Sequence, residues 1–391
     1  MLTTCYPLGA GDVSCIFVHH LSKALVKRGV AVTVVAPAAP QAAGAEAIDG
    51  AEVRRFPYMW PRRWQKLAYR WGIPENLRHN RWLLLQLPFF LLSFLLHALV
   101  HGRAADILHA HWIPAGFIGV LAGKVLRKPV VLTVHGSDAR LLPRPFCRWV
   151  LRHVSEVQVV SVEMQEVVRS LGREGRLIPM SVDEDLFNPR VDAAPVVEEF
   201  GLGPGPVVTF VARLYEFRDP LAFVRAMPLI AARRPDVRFV IVGEGPLKPE
   251  VERLAQALGV RERLVLAGER NDVHLFLKAS SAFLALSPVD NVWTCAIAEA
   301  MLVGVPCIMT DSGHTGGFFT HGQNCYLVPP HDDQALADAV LSVLSDRELA
   351  TRLVEGANRL LVEKERRAET VLKRTLDLYE QALAGQERRR P

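Results

Sequence analysis

Two doubly wound α/β lobes in tandem are the fold class that this sequence predicts. Three observations lead there. Short apolar runs alternate with stretches of helical spacing from the first residues onward. The alternation breaks at a segment rich in glycine and proline near residue 200, then restarts in the same form. Finally, the 391 residues, half of them hydrophobic and 22% charged, carry too much core-forming material for one ordinary domain and enough for two.

Residues 1–4 read as a strand that runs into a loop at Tyr6-Pro7, and they do not resemble a basic-then-apolar leader. Strands commonly run about five or six residues. This one is therefore expected to be clipped, with its native start upstream and weak order in what remains. Residues 17–28 have helical spacing (Phe17, Leu21, Ala24, Leu25), with Gly29 as the stop and His19 and His20 expected on the helix surface. Strands follow at 31–36, 106–110, 129–134, 157–160 and 176–179, with a helix at 116–126. His109 and His111 alternate along one strand and face the same side, with no carboxylate or cysteine beside them to complete a metal site.

The segments Asn188-Pro189-Arg190 and 200–206 read as linker. The expected division is 1–190, a linker at 191–206, 207–365, and a helix over 366–391 that crosses back towards the first lobe and ends in a disordered basic tail. In the second lobe, strands are expected at 207–211, 237–242, 264–267, 282–286 and 306–310, with helices at 220–232 and 248–258. The facing carboxyl edges of two such sheets would form a cleft.

Six cysteines without a Cys-x-x-Cys pair argue against both a zinc site and a disulfide framework, and suit a reducing cytoplasm. The net charge of +5 is unevenly placed. Between residues 54 and 82 lie Arg54, Arg55, Arg62, Arg63, Lys66, Arg70, Arg78 and Arg81 against the single acid Glu75, interleaved with Phe56, Tyr58, Trp60, Trp64, Tyr69, Trp71 and Trp82. Such a mix suits an anionic membrane surface; a solvated basic loop and a nucleic-acid surface are the other readings. Residues 82–100 are apolar and long enough to span a bilayer, but Gln86, Pro88, Ser93 and His97 interrupt them and a soluble strand pattern resumes at Asp106. A helix half in the domain and half touching lipid fits better, so peripheral membrane contact through 54–100 is expected.

One residue stands out chemically. Glu299 lies among Ala296, Ile297, Ala300 and Met301 on a helix that is apolar almost all round. A lone buried carboxylate costs several kcal/mol unless something binds it. Either a nearby arginine pairs with it, or it accepts two hydrogen bonds from a vicinal diol such as a ribose. The helix follows directly on a strand, which places it at the carboxyl edge of a parallel sheet where α/β folds hold ligands, with its N-terminal N–H groups available to an anion.

Eight stretches, in order, resemble family 4 of the retaining glycosyltransferases, whose GT-B fold sets two Rossmann-like domains around a cleft. They are Tyr6-Pro7 to Gly11-Asp12, Asp106-Ile107-Leu108-His109-Ala110-His111, Thr133-Val134-His135-Gly136-Ser137-Asp138, Val182-Asp183 to Phe187, Val211-Ala212-Arg213-Leu214, Val242-Gly243-Glu244-Gly245-Pro246-Leu247, Glu299-Ala300-Met301 to Gly304-Val305-Pro306, and Asn324-Cys325-Tyr326-Leu327-Val328-Pro329. The resemblance covers nearly the whole chain.

It implies an acceptor-binding first lobe, a second lobe that binds a nucleotide-diphosphate sugar, and transfer of a hexose to an alcohol with no metal or other cofactor. His135, Arg213, Arg218 and Glu299 would be the catalytic set, the arginines neutralising the departing diphosphate. Gly11, Leu247, Arg270, Asn291, Trp293, Thr294 and Glu299 would bind the donor, with Leu247, Gly268 and Arg270 holding the base by backbone and packing. Asp138 and His111 would meet the acceptor, a sugar or lipid-linked sugar, and the protein would be cytoplasmic or peripheral on the inner membrane face, with no nucleic-acid partner.

Four departures stand out, the first being Met180-Ser181 in place of the common Asn-Gly before Val182-Asp183. Asn291 replaces the glutamate that usually precedes Glu299 by eight positions, Asp219 replaces a glycine beside Arg218, and Gly313-His314-Thr315-Gly316-Gly317 lacks the usual Pro-Glu. A sugar-nucleotide epimerase of the same fold, and a catalytically silent binding protein, are the alternative classes.

Overall fold

Unbroken rather than alternating apolar runs mark strands buried on both faces. Here they form two largely parallel sheets. The computed structural model describes the chain except residues 10, 11, 13, 41–43, 69–71, 137, 138, 140, 181, 289–293, 314–317, 364–366 and 389–391, and the side chains of 74, 75, 362 and 363. It divides into two compact units, Met1–Ser181 with Ala368–Pro391, and Val182–Arg367.

The first unit holds β1 (Leu2–Thr3), β2 (Thr33–Pro37), β3 (Ala45–Ile48), β4 (Ala51–Phe56), β5 (Leu108–His111), β6 (Val130–Val134), β7 (Glu156–Val159) and β8 (Arg176–Leu177). Their order is β3-β4-β2-β1-β5-β6-β7-β8. Short as it is, β1 lies mid-sheet, pairing with both β2 and β5, so the weak order expected of the first residues is not found. The only antiparallel pair among the described strands is β3 with β4, joined at Asp49-Gly50, where both residues have positive φ (46° and 82°). Asp-Gly is a strong two-residue hairpin signal, and the sequence reading passed over it.

Two further expectations for this unit are corrected. His19 and His20 are buried, not on the surface. The helix Ile16–Lys27 is covered on more than one side, and His19 bridges Tyr6 (2.9 Å) and Asp49 (3.0 Å). Cys5 and Cys15 form a disulfide, with Cα atoms 5.9 Å apart, where all six cysteines were read as unpaired. The helix Ala368–Glu387 belongs to this unit, burying Val371, Leu378 and Ala382 in a cluster with Val131 and Ile178, with Thr375 buried as well. Gln386 and Glu387 are still helical, so the disordered tail does not begin there.

In the second unit β9 (Val207–Val211), β10 (Arg238–Val242), β11 (Leu264–Gly268), β12 (Ala282–Ala285), β13 (Cys307–Thr310) and β14 (Tyr326–Val328) run parallel in the order β11-β10-β9-β12-β13-β14. Strand order therefore reverses between β9 and β12, and in such folds the carboxyl side of that reversal is the ligand position. The stretch read as linker at 191–206 is instead folded. Residues Ala194–Phe200 form a helix, and Val196 and Leu202 are buried with Val207, Val240 and Phe276. Hence the first boundary falls at 181/182 rather than 190.

Candidate active site

At the carboxyl end of β9 the chain is fixed by backbone bonds to the loop after β10. Ala212 N donates to Val242 O (3.1 Å), Leu214 N to Glu244 O (3.0 Å) and Leu247 N to Leu214 O (3.1 Å). Two glycines make the approach feasible. Gly243 has φ +143°, and a Cβ on Gly245 would stand 2.5 Å from the Leu214 carbonyl oxygen. Arg213 is held between these bonds with its side chain exposed, and among the described residues its guanidinium has no hydrogen-bond or ion-pair partner. Arg218 closes the 3-10 turn Glu216–Arg218, its guanidinium 5.2 Å from the Phe217 ring centre. Asp219, where the family has glycine, keeps the left-handed backbone (φ 43°) and caps the helix Pro220–Arg233 by accepting from Ala222 N at 3.1 Å. An aspartate tolerates that conformation and gains the cap, so the exchange leaves the turn intact.

Across the reversal point, Ser287 beyond β12 donates to the Phe217 carbonyl at 2.8 Å, tying the two strand ends together. The helix Cys295–Val303 then starts at Thr294, whose Oγ1 accepts from Ile297 N at 3.3 Å. One turn in, Glu299 is 6% exposed among Ile297, Ala298, Ala300 and Met301. No arginine or other described residue pairs with it. Burial pushes its carboxyl up to about 7 and, together with Glu299 itself, pushes the Cys295 thiol up as well.

Arg270 is differently placed from what a free donor-binding cation would need. Its guanidinium donates to Glu199 (2.9 Å twice) and to Asp272 (2.9 and 2.7 Å), which holds its own pKa up and that of Asp272 down. Only its backbone remains for a base. Leu247 is partly buried against the second-unit core, and Gly268 O accepts from Gly243 N at 2.7 Å. Gly11, Asp138, Asn291, Trp293 and the 314–317 glycine loop lie outside the described residues.

In the first unit the carboxyl ends of β5 and β6 bring three histidines together. His111 Nδ1 and His135 Nε2 are 3.1 Å apart, and His109 bonds Tyr379 OH and Thr133 Oγ1, both at 2.7 Å. Burial holds all three below the usual imidazole range, His109 and His135 at about 3, so they are neutral at physiological pH. His111 is 1% exposed. It faces His135 rather than open solvent, which does not fit the acceptor-contact role given to it by resemblance. Sequence reasoning did not single out Gln158 or Tyr379, both in this cluster; only strand register and the tail helix bring them there.

A parallel sheet whose strand order reverses in this way, with an unpaired arginine beyond β9 and a buried carboxylate on the helix after β12, is a Rossmann-like unit. Paired with a second such sheet in one chain, it places the protein in the GT-B class of glycosyltransferases. A model described as Glycosyltransferase Family 4 matches residues 16–186, and one described as Glycosyl transferases group 1 matches residues 198–360. The chain belongs to the family 4 glycosyltransferases.

Its relatives include the phosphatidyl-myo-inositol mannosyltransferase of Mycobacterium tuberculosis, 27% identical over 87% of this chain and 86% of that one. Another is the UDP-Gal:alpha-D-GlcNAc-diphosphoundecaprenol alpha-1,3-galactosyltransferase of Escherichia coli, 28% identical over 65% and 70%. Among solved structures, sucrose-phosphate synthase from Thermosynechococcus elongatus shares the fold with a TM-score of 0.77 at 21% identity, covering 95% of this chain and 93% of that one. Anabaena HepE, solved with UDP and glucose, gives 0.74 at 17% identity, covering 97% and 99%.

Proposed function

We propose that the protein moves a hexose from a nucleotide-diphosphate sugar to an alcohol carried on a lipid, with retention at the anomeric carbon and without a metal ion. The observation that carries the reading is the buried Glu299 carboxylate with no described partner. A ribose supplies two adjacent hydroxyl donors, which is what an ionised carboxylate at that depth lacks.

The chemistry follows from the charges at hand. As the bond from C1 to the phosphate oxygen breaks, its electron pair leaves on the diphosphate. Arg213, Arg218 and the N–H groups at the start of the helix Cys295–Val303 stabilise that charge. The acceptor oxygen bonds C1 on the face the phosphate departs from, and its proton passes to the leaving phosphate oxygen. Asn291 stands where a glutamate is usual, and an amide is no nucleophile towards a sugar, so same-face attack is favoured over a double displacement.

A thermal-shift screen of UDP-, GDP-, ADP- and dTDP-sugars tests the donor. A ligand held at 100 times its dissociation constant adds about 2.7 kcal/mol to the native state. One nucleotide series should therefore raise the melting temperature by several degrees, and that rise should vanish in Glu299→Ala. No shift from any donor would refute the reading.

A membrane-borne acceptor is supported by the surface of the first unit. The 3-10 turn Arg81–Gln86 and the helix Leu87–His101 carry two stripes at helical spacing. Leu83, Phe90, Phe94 and Ala98 are buried, with Phe94 stacked on Phe56 (ring centres 4.6 Å apart). Trp82, Leu85, Phe89, Leu92, Leu96 and Val100 are all more than half exposed, Trp82 at 79%. Arg62, Arg63, Lys66 and Arg81 are exposed in the same region, as are Trp60 and Trp64.

By length and composition the stretch Arg81–His101 could cross a bilayer. With one face packed into a protein core, however, it suits lying on a lipid surface, where a basic and aromatic rim meets anionic headgroups. Two members of the basic run do not contribute. Arg55 is buried against Glu46 and the carbonyls of Tyr6 and Pro7, and Arg54 pairs with Glu52. The protein should float with vesicles containing phosphatidylserine, and lose at least half of that binding on changing Arg62 and Arg63 to Glu with Trp64 to Ala. Equal flotation of the variant, or none for the wild type, would point to a soluble acceptor.

A further inference from the structure

On one side of the first sheet, the helix Ile113–Leu126 packs between the helices Leu87–His101 and Arg144–His153. All three send their inward side chains into a single core: Phe90, Phe94 and Ala98 from Leu87–His101, Ile118 and Ala122 from Ile113–Leu126, and Val150 and Leu151 from Arg144–His153. Their outward faces therefore form one continuous surface. None of the three helices holds an aspartate or a glutamate.

The chemistry changes across that surface. Leu87–His101 presents the apolar stripe of Phe89, Leu92, Leu96 and Val100, and Ile113–Leu126 continues it with Val125, 69% exposed, beside the first charge, Lys124. On Arg144–His153, the exposed Arg144, Arg148 and Arg152 recur every fourth residue and so form a single cationic line. Arg144 donates to the Ser170 carbonyl at 3.0 Å, whereas Arg148 and Arg152 have neither a hydrogen bond nor an ion pair with any described residue. Like charges at this spacing repel and weaken a helix, and no acid on this one offsets them. Trp149 stands at the seam between the two zones. Its ring is 36% exposed, with its centre 5.6 Å from that of Phe117 and 5.4 Å from Lys124 Nζ.

We propose that Arg144–His153 is a second lipid-binding element, which meets the phosphate groups of an anionic bilayer while Leu87–His101 buries its apolar stripe beside it. An apolar zone, an indole at its border and then unpaired guanidinium groups follow the order of acyl chains, boundary and headgroups in a leaflet. Guanidinium forks also match phosphate oxygens. Packed helices lie about 8–10 Å apart, so the two lines of contact are roughly 16–20 Å apart. Held along one helix, the unit could roll about that helix axis. A second line across the middle helix stops the roll and gives the carboxyl ends of the first sheet a fixed attitude to the membrane. The inference deepens the reading of a membrane-borne acceptor and rests on it.

Flotation of the full chain with vesicles tests the proposal. Arg148→Gln with Arg152→Gln should lower partition into vesicles containing phosphatidylserine by roughly tenfold, since each basic side chain at such a surface contributes a few-fold. Arg148→Lys with Arg152→Lys should keep most of the binding. On vesicles of phosphatidylcholine alone, wild type and the glutamine variant should bind alike. On anionic vesicles the gap should close at about 1 M salt, where charges are screened beyond roughly 3 Å. The replaced side chains are exposed and unpartnered, so the melting temperature should stay within about 1 °C of wild type and the comparison is between folded proteins. Undiminished flotation of the glutamine variant would overturn this inference alone and leave the contact through residues 54–100 standing. No flotation of the wild type would remove the membrane reading and this inference with it. Binding of duplex DNA that the glutamine variant loses while it still floats would assign the two arginines to nucleic acid, and would overturn the inference too.

Discussion

Replacing Glu299 with glutamine is expected to weaken nucleotide binding about 100-fold while making the free protein more heat-resistant above pH 7. The first effect follows from losing two charge-assisted hydrogen bonds, each worth roughly 1.5–3 kcal/mol, with part of the loss recovered by the amide. The second comes from the direction of the pKa shift. Burial raises the Glu299 carboxyl from 4.5 to about 7. A raised acid is tolerated in its neutral form below the unfolded value and penalises the fold as pH climbs through the folded one, by on the order of 3 kcal/mol once fully ionised. Glutamine escapes that penalty. Calorimetry should therefore show the variant melting at least roughly 3 °C higher at pH 8, and no such gain near pH 5. Nucleotide affinity of the wild type should rise through pH 7, and that rise should be missing in the variant. A variant less stable than wild type at pH 8 would mean that Glu299 has a structural partner and would remove the basis for the ribose assignment.

Arg213→Ala should reduce kcat by roughly 10²- to 10³-fold, the range found when one preorganised group facing a developing negative charge is removed. Its side chain is exposed and contacts no described residue through a hydrogen bond or ion pair, so the melting temperature should stay within about 1 °C of wild type. Its place is set by backbone bonds on either side and does not depend on its own side chain. A lysine there keeps the charge but not the two-pronged fit to phosphate, and should recover only part of the rate. Steady-state kinetics with saturating donor decide the matter. A fall confined to donor KM would make Arg213 a ground-state binding residue instead.

What the sequence disclosed and what it concealed divide along a physical line. Local pattern was enough for most of the parallel strands and for Glu299, because a carboxylate among Ile297, Ala300 and Met301 is anomalous wherever the helix packs, but the short edge strands β3 and β14, and β4 beside the Asp49-Gly50 hairpin, were not foreseen. Effects that depend on what comes back from far along the chain were hidden. The burial of His19 reflects Tyr6 and Asp49, which reach it from a loop and a hairpin turn. Cys5 and Cys15 meet across the connection between β1 and the helix Ile16–Lys27, with Cα atoms 5.9 Å apart, a geometry that no cysteine spacing rule encodes. Pro204 and Gly205 advertised a linker, yet the neighbouring Val196 and Leu202 had a hydrophobic cluster to join. The row of His111, Thr133 and Gln158 depends on register between three strands, which residue types alone leave open.

The membership of Ala368–Glu387 in the first unit bears on how the chain is made. Val182–Arg367 is one continuous segment, so it can fold as soon as it clears the ribosome. The unit begun first lacks Val371, Thr375 and Leu378, which bury themselves among its residues, until the helix Ala368–Glu387 has been made. The earlier-synthesised half is thus the later to mature. A stop codon near residue 367 would leave Val182–Arg367 intact and its elder sibling with an open hydrophobic wound, a substrate for chaperones.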